Sequence, residues 1–154
     1  MTESDKVRAI RAWNKAKIKK QKDYEINLVS QDHKRVQQGT IYPVNFGSNL
    51  GHEIDKLRPA LVVSNEEYNE IPSGIAVVIP LTKNVQIKDD GIPVYRHHFI
   101  LKKDTFAFLR YDSTLQIDQI RSVSNRRIDT KHPMGTLEED VLVKIKNKIS
   151  EFFG

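Results

Sequence analysis

The chain contains no cysteine, so it has no disulfide framework, no thiolate metal site and no thiol nucleophile. It also lacks any run near the about 18 consecutive apolar residues that a membrane span needs, and its N-terminus has no signal-peptide hydrophobic stretch. These absences predict a protein of the reducing cytoplasm that does not engage a membrane. Internal repeats and low-complexity tracts are lacking as well.

What remains is 154 residues, most simply read as one folded domain. That length lets a chain bury about two thirds of the surface its unfolded form exposes. The net charge of +5 is unevenly spread: residues 1 to 38 hold ten Lys and Arg against five Asp and Glu, and residues 39 to 154 hold fifteen of each. A neutral body with a basic arm suits a polyanionic partner, because each phosphate contact releases counterions. A solvated, lysine-rich helix has the same composition.

Along residues 4 to 22, Val7, Ile10, Trp13 and Ile18 form one thin apolar stripe, which predicts a helix too sparsely apolar for the core. Trp13 is expected to anchor it against the body or a second subunit, with base stacking as the alternative. Residues 23 to 38 read as a linker, dividing a basic helical extension (1–38) from a main domain (39–154). Beyond Gly39, strands are predicted over 40–46, 59–64, 75–80, 97–101, 113–117 and 119–123, enough for a small, strongly bent sheet or partly open barrel. Residues 83 to 96 are expected to form a mobile hairpin loop. Thr136 and Glu139 have capping-box spacing, and Leu137, Val141, Ile145, Ile149 and Phe152 recur at helical intervals, predicting a helix over 137–152. Its stripe should close the open side of the sheet, with Phe152 and Phe153 filling the core or a subunit interface.

The segment GHEIDKLRPALVVSN, residues 51 to 65, runs a charged loop into an apolar strand through Arg58-Pro59. Proline fixes its own φ and pushes the preceding residue towards an extended conformation, so Arg58 should be held at a strand mouth. A guanidinium there suits phosphoryl oxygens, which its planar fork matches. A structural ion pair near a turn is the competing use. His97 and His98 invite a metal reading, but adjacent strand residues point to opposite faces and no carboxylate spacing completes a set, so no metal and no cofactor are expected.

An early strand ending in Phe46-Gly47, then G-H-E, R-P-x-L-V-V-S-N, P-L-T at 80–82 and D-Q-I-R at 118–121, resembles the MazF/PemK family, the toxins of type II toxin-antitoxin systems that include Kid. The match covers about residues 38 to 154. The resemblance implies a mainly β fold with α, a small SH3-like barrel of the MazF/CcdB type with a C-terminal helix. It further implies a bacterial, cytoplasmic homodimer that cuts single-stranded RNA without metal, is covered by an acidic antitoxin segment, and binds DNA in the antitoxin's company. Residue by residue, Arg58 and Thr82 match the general active-site pair, and His52 and Asp118 match a histidine and an aspartate of the Kid-like branch. Where that branch carries an arginine two residues before the aspartate, this chain has Gln116. RNA contacts are expected from Asn45, Phe46, Gln119, Arg121, Tyr95, Arg96 and His97.

RNA supplies its own nucleophile, so the protein must take the 2′ proton, stabilise the nonbridging oxygens and protonate the leaving 5′-oxygen. Arg58 fits the second task, and Thr82 could add one oriented hydrogen bond. An unperturbed imidazole has its pKa near neutrality, so His52 could act as acid or base. Asp118 could be the base or an orienting group. Two other readings share the fold or the charge: a gyrase poison like CcdB, and an idle RNA- or antitoxin-binding module. The Arg58 and Thr82 pair, and a Glu-Phe-Phe-Gly ending without tryptophan, favour the nuclease.

Overall fold

The computed structural model describes residues 3–26, 35–69 and 74–154. In chain order these form α1 (Asp5–Ile26), β1 (Thr40–Asn45), β2 (Leu57–Val62), a single turn α2 (Glu66–Asn69), β3 (Ile75–Thr82), β4 (His98–Leu101), β5 (Ser113–Gln116), β6 (Arg121–Ser124), β7 (Gly135–Thr136) and α3 (Glu139–Phe153). The strands make one curled antiparallel sheet in the order β4-β5-β3-β2-β1-β7, with β6 also paired to β3. β3 is the axle. Its first half pairs with β6 and its end with β5, and a 3-10 turn at Ile117–Gln119 lets the chain change partners.

Burial on both faces explains why the central strands read as unbroken apolar runs rather than alternations. One face gathers Ile41, Leu61, Ile79, Leu81, Leu115 and Ile117 under Leu142 and Ile145 of α3. The other gathers Tyr42, Val44, Phe46, Ala60, Val62 and Val78 with Val36, Val123 and Ile128. α3 thus closes one side of the sheet, as its stripe predicts.

Several expectations are corrected. Thr136 does not cap α3: it lies in β7, its hydroxyl 2.9 Å from that of Thr40, and the cap position is Glu138, which makes no side-chain capping bond. Hydroxyls facing each other across β1 and β7 outcompete the box. Phe152 and Phe153 are 43% and 70% exposed in the single chain, because the last turn of α3 overruns the apolar face, so of their two expected uses they do not fill the core. Helix α1 continues beyond residue 22 to Ile26. The expected linker falls partly on residues 27–34, outside the described residues. Val36 is already buried, and Asn69 donates to its carbonyl at 3.1 Å. Residues 83 to 96 do turn back on themselves, through a Lys88–Gly91 turn and a bridge between Ile87 and Pro93.

Candidate active site

The site begins with a proline. β2 pairs with β1 from Asn45↔Leu57 to Ile41↔Leu61, but with β3 only from Ala60↔Pro80 to Val62↔Val78. Pro59 has no amide hydrogen to give β3, so that ladder stops beside it. The same register carried two residues further sets Arg58 across from Thr82, past the end of the paired stretch. Thr82 pairs onward with Thr114, and Thr114 with Ile100. One transverse row therefore carries Val44, Arg58, Thr82, Thr114 and Ile100 on one face. The neighbouring row, about 7 Å away at two residues of strand rise, carries Tyr42, Ala60, Pro80, Gln116 and His98, Pro80 meeting Gln116 by continuation of the β3–β5 register.

Arg58 is half-buried, and its Nε donates to the Asp55 carbonyl at 3.1 Å. That bond fixes the stem, and among the described residues no hydrogen bond engages the terminal nitrogens. Thr82 Oγ1 accepts from the Asn84 amide at 3.2 Å, so its own hydroxyl hydrogen remains to donate. Both groups are thus tethered on one side and open on the other, as an anion site needs.

Residues 47 to 56 form a loop closed by paired backbone bonds, Phe46 to Lys56 at 2.9 Å and Lys56 to Gly47 at 2.7 Å, with Lys56 at φ 68°. Inside it the Asn49 side chain donates to the carbonyls of Phe46 and Ile54, and the Asn49 amide donates to Asp55 at 2.6 Å. His52 sits exposed on this loop. Gln119 clamps it from the 3-10 turn: Nε2 donates to the His52 carbonyl at 3.1 Å, and Oε1 accepts from the Ile54 amide at 3.2 Å. The residue beside the clamp is Asp118. The two segments proposed to handle protons are therefore held together by a side chain between them.

Asp118 also faces His97, with Oδ2 and Nε2 3.7 Å apart. His97 and His98 stand edge to face with ring centroids 4.6 Å apart, and Tyr95 lies 5.5 Å and 5.1 Å from the two rings. Burial, and then the neighbouring His97, hold His98 below the ordinary histidine range, against the pull of Asp118. The opposite-faces argument fails here because β4 begins at His98: His97 belongs to the preceding turn, free of strand alternation.

Helix α1 lies along the rim. Lys6 bonds Asp55, Trp13 stacks on the Arg127 guanidinium at 5.1 Å, and Tyr24 on that of Arg126 at 5.2 Å. Burial, and then the charge of Arg121, lower the Arg127 pKa from its ordinary value. Trp13 is thus an anchor against its own body.

Of the expected site residues, Arg58 and Thr82 lie across from each other by continuation of the register, Asp118 and Gln119 sit on the 3-10 turn, His97 faces Asp118, and His52 is tied to the turn through its carbonyl. Arg121 lies on β6 opposite Val78, Tyr95 and Arg96 are exposed, and Asn45 turns its Oδ1 back to the Gly47 amide at 2.9 Å. Phe46 is the correction: its side chain is wholly buried in the second cluster, out of reach of a base. Sequence reasoning missed Asn49, Asp55 and Arg127. The Gly-punctuated loop with its one Asn and one Asp signals a side-chain-knit turn, but nothing local marks Arg127, whose role depends on a helix far away in sequence.

A curled antiparallel sheet backed by a C-terminal helix, with an arginine and a threonine at its open mouth, defines the class as small toxin barrels. The chain belongs to the PemK-like, MazF-like toxins of type II toxin-antitoxin systems, whose family model matches residues 37–153. It is 29% identical over 114 residues to "Endoribonuclease MazF9" of Mycobacterium tuberculosis, an alignment covering 71% of this chain and 89% of the relative. To "Endoribonuclease EndoA" of Bacillus subtilis it is 27% identical over 110 residues, covering 71% and 87%. The crystal structure of MazF from Deinococcus radiodurans superposes with a TM-score of 0.61 at 26% identity, over 77% of this chain and 96% of that one.

Proposed function

We propose that this toxin is a sequence-selective endoribonuclease that cuts single-stranded RNA by metal-independent transesterification. The 2′-oxygen attacks the adjacent phosphorus, the bond to the 5′-oxygen breaks, and the products are a 2′,3′-cyclic phosphate and a 5′-hydroxyl. The nucleophile comes with the substrate, so the protein has to position and to balance charge. Arg58 and Thr82 hold the nonbridging oxygens. His52 and Asp118 exchange the two protons, one taken from the 2′-hydroxyl and one given to the 5′-oxygen. Asn45, Gln119, Arg121, Tyr95, Arg96 and His97 contact the flanking nucleotides, the aromatic rings by stacking.

The observation that carries this reading is the half-tethered pair Arg58 and Thr82 at the mouth where the β2–β3 ladder ends. Two named endoribonucleases among the relatives support it. The protein acts in the bacterial cytoplasm as a homodimer held by a cognate antitoxin, whose acidic segment lies over the cationic mouth and with which it binds DNA. The basic extension over 1–38 adds phosphate contacts to the toxin domain over 39–154. Residues 84 to 96 set the cut sequence.

The test is incubation of antitoxin-free protein with a long mixed-sequence RNA in EDTA, beside Arg58→Ala, with the new ends mapped and their chemistry determined. Discrete cuts bearing 5′-hydroxyls that vanish in the variant are expected. No cutting by folded protein overturns the reading.

A further inference from the structure

Outside the Arg58–Thr82 mouth, the described residues hold one group of side chains with the makings of a metal site. His97, His98 and Asp118 each present a donor atom within 4.8 Å of the other two. The sequence separates the carboxylate from the histidines by twenty residues. The sheet reunites them, because β4 pairs with β5 and β5 runs straight into the 3-10 turn that carries Asp118.

A second observation points to a missing ligand. His98 is only 9% exposed, yet its Nδ1 is buried and has no hydrogen-bond partner among the described residues. Its partner across the β4–β5 ladder, Gln116, has a buried Oε1 in the same condition. A buried polar atom left unpaired is destabilising because it gives up its hydrogen bonds to water, so two on facing residues call for an explanation. The two atoms do not bond each other in this structure, and one cation can satisfy both lone pairs at once.

We infer that His97, His98 and Asp118 form a binding site for a divalent transition-metal ion, Zn2+ by preference, with the Gln116 amide oxygen or water in the fourth position. Two imidazoles and one carboxylate match the donor set of open, four-coordinate zinc sites. They suit magnesium and calcium poorly, since those ions select all-oxygen cages. Donor atoms around a tetrahedral zinc lie about 3.3–3.5 Å apart; His97 and Asp118 are at 3.7 Å and all three donors lie within 4.8 Å, so closure draws the side chains inwards around the ion.

The position gives the ion a consequence. His98 and Gln116 lie on the row of the sheet next to Arg58 and Thr82, on the same face. A bound ion withdraws Asp118 from proton transfer and His97 from the RNA, so zinc is a brake on the proposed cleavage rather than its cofactor. The metal site itself does not rest on the nuclease reading; only this consequence does.

The experiment titrates full-length, metal-stripped protein with Co2+, read by its visible d–d absorption, and then with Zn2+ as competitor. One Co2+ per chain with the intense bands of a four-coordinate complex, displaced by one Zn2+, is expected. His97→Ala and Asp118→Asn, both at partly exposed positions where folding should survive, should each weaken binding at least about tenfold. His132→Ala, which removes the exposed His132–Asp129 pair, should leave it unchanged. His98→Ala should abolish the bands, with circular dichroism confirming the fold. Absence of stoichiometric binding, weak six-coordinate spectra, or binding that survives in both His97→Ala and Asp118→Asn overturns the site. No RNA enters this assay, so failure of the nuclease reading leaves its outcome readable. In the RNA assay, zinc should suppress cleavage and EDTA restore it.

Discussion

Trp13 lies against Gly47 so closely that a Cβ built there would sit 2.1 Å from its Cε2 atom. Gly47 also holds φ at +74°, a conformation that side chains rarely adopt. One glycine thereby turns the chain out of β1 and leaves a seat for the indole of α1. The basic extension is docked on the rim of the candidate site through this seat, with the Lys6–Asp55 bond at one end and the Arg127 stack beside it.

Removing the indole should release the helix. Helices in proteins draw most of their stability from packing against the body, so Trp13→Ala is expected to lose part of the helical circular dichroism of the 22-residue α1. It should also expose the run Lys15 to Lys22 to trypsin, while the unfolding free energy of the body moves by only about 1 kcal/mol. Gly47→Ala should act in the same direction through its clash. Unchanged proteolysis in both would show that the helix stays docked without its anchor.

The other end of α1 should respond to acid. Burial pushes the Asp55 carboxyl up, but the Lys6 bond, the Asn49 amide and the charges of Lys6 and Lys56 together hold it below the ordinary carboxylate value. A depressed folded-state pKa means that the ion pair's contribution is fully present above the unfolded value of about 3.9 and is lost as pH falls through the folded value. Denaturant melts of wild type and Asp55→Asn should therefore differ by a constant amount above about pH 5 and converge progressively as pH falls through the depressed folded value. A difference that grows on acidification would mean that the pair does not stabilise the fold.

Gln119 should matter more to activity than to stability. Its amide spans the His52 carbonyl and the Ile54 amide, two bonds worth about 0.5–1.5 kcal/mol each. Gln119→Glu keeps the acceptor for Ile54 but cannot donate to His52, so it should fall between wild type and Gln119→Ala. Because a 1 Å misplacement of a reacting group can cost about 100-fold, Gln119→Ala is expected to slow RNA cleavage by about 10–100-fold with only a small shift in melting. Equal rates in all three proteins would detach His52 from the chemistry.

What could be read ahead of the structure follows from range. The strands, α3 and the Arg58-Pro59 mouth rest on patterns within a few residues, and the resemblance placed Thr82 and Asp118 in order. The Thr136 cap failed because a partner 96 residues away in sequence, Thr40, competes for its hydroxyl. The histidine pair was misread because strand alternation was extended one residue past the start of β4. The RNA contact expected of Phe46 came with the resemblance, but burial is a property of the whole sheet. β7, at two residues, is too short to leave any pattern.

Arg58 and Thr82 make the sharpest test, because the β2–β3 register continued past its end sets them across from each other, and the proposed site has both at one phosphate. Arg58→Ala should slow single-turnover cleavage by about 100–1,000-fold, the usual loss for one oxyanion donor. Thr82→Ala removes one neutral hydrogen bond and should cost about tenfold. Arg58→Lys keeps the charge but not the fork, and should recover only part of the loss. If both groups grip the same oxygens, the double variant should be slower than Arg58→Ala by clearly less than the Thr82 factor, since a phosphate no longer held by the guanidinium cannot be presented to the hydroxyl. Full additivity would place the two residues on different parts of the RNA. Losing the Arg58 bond to the Asp55 carbonyl costs about 1 kcal/mol of stability, so the variants remain folded and the rates report on the chemistry.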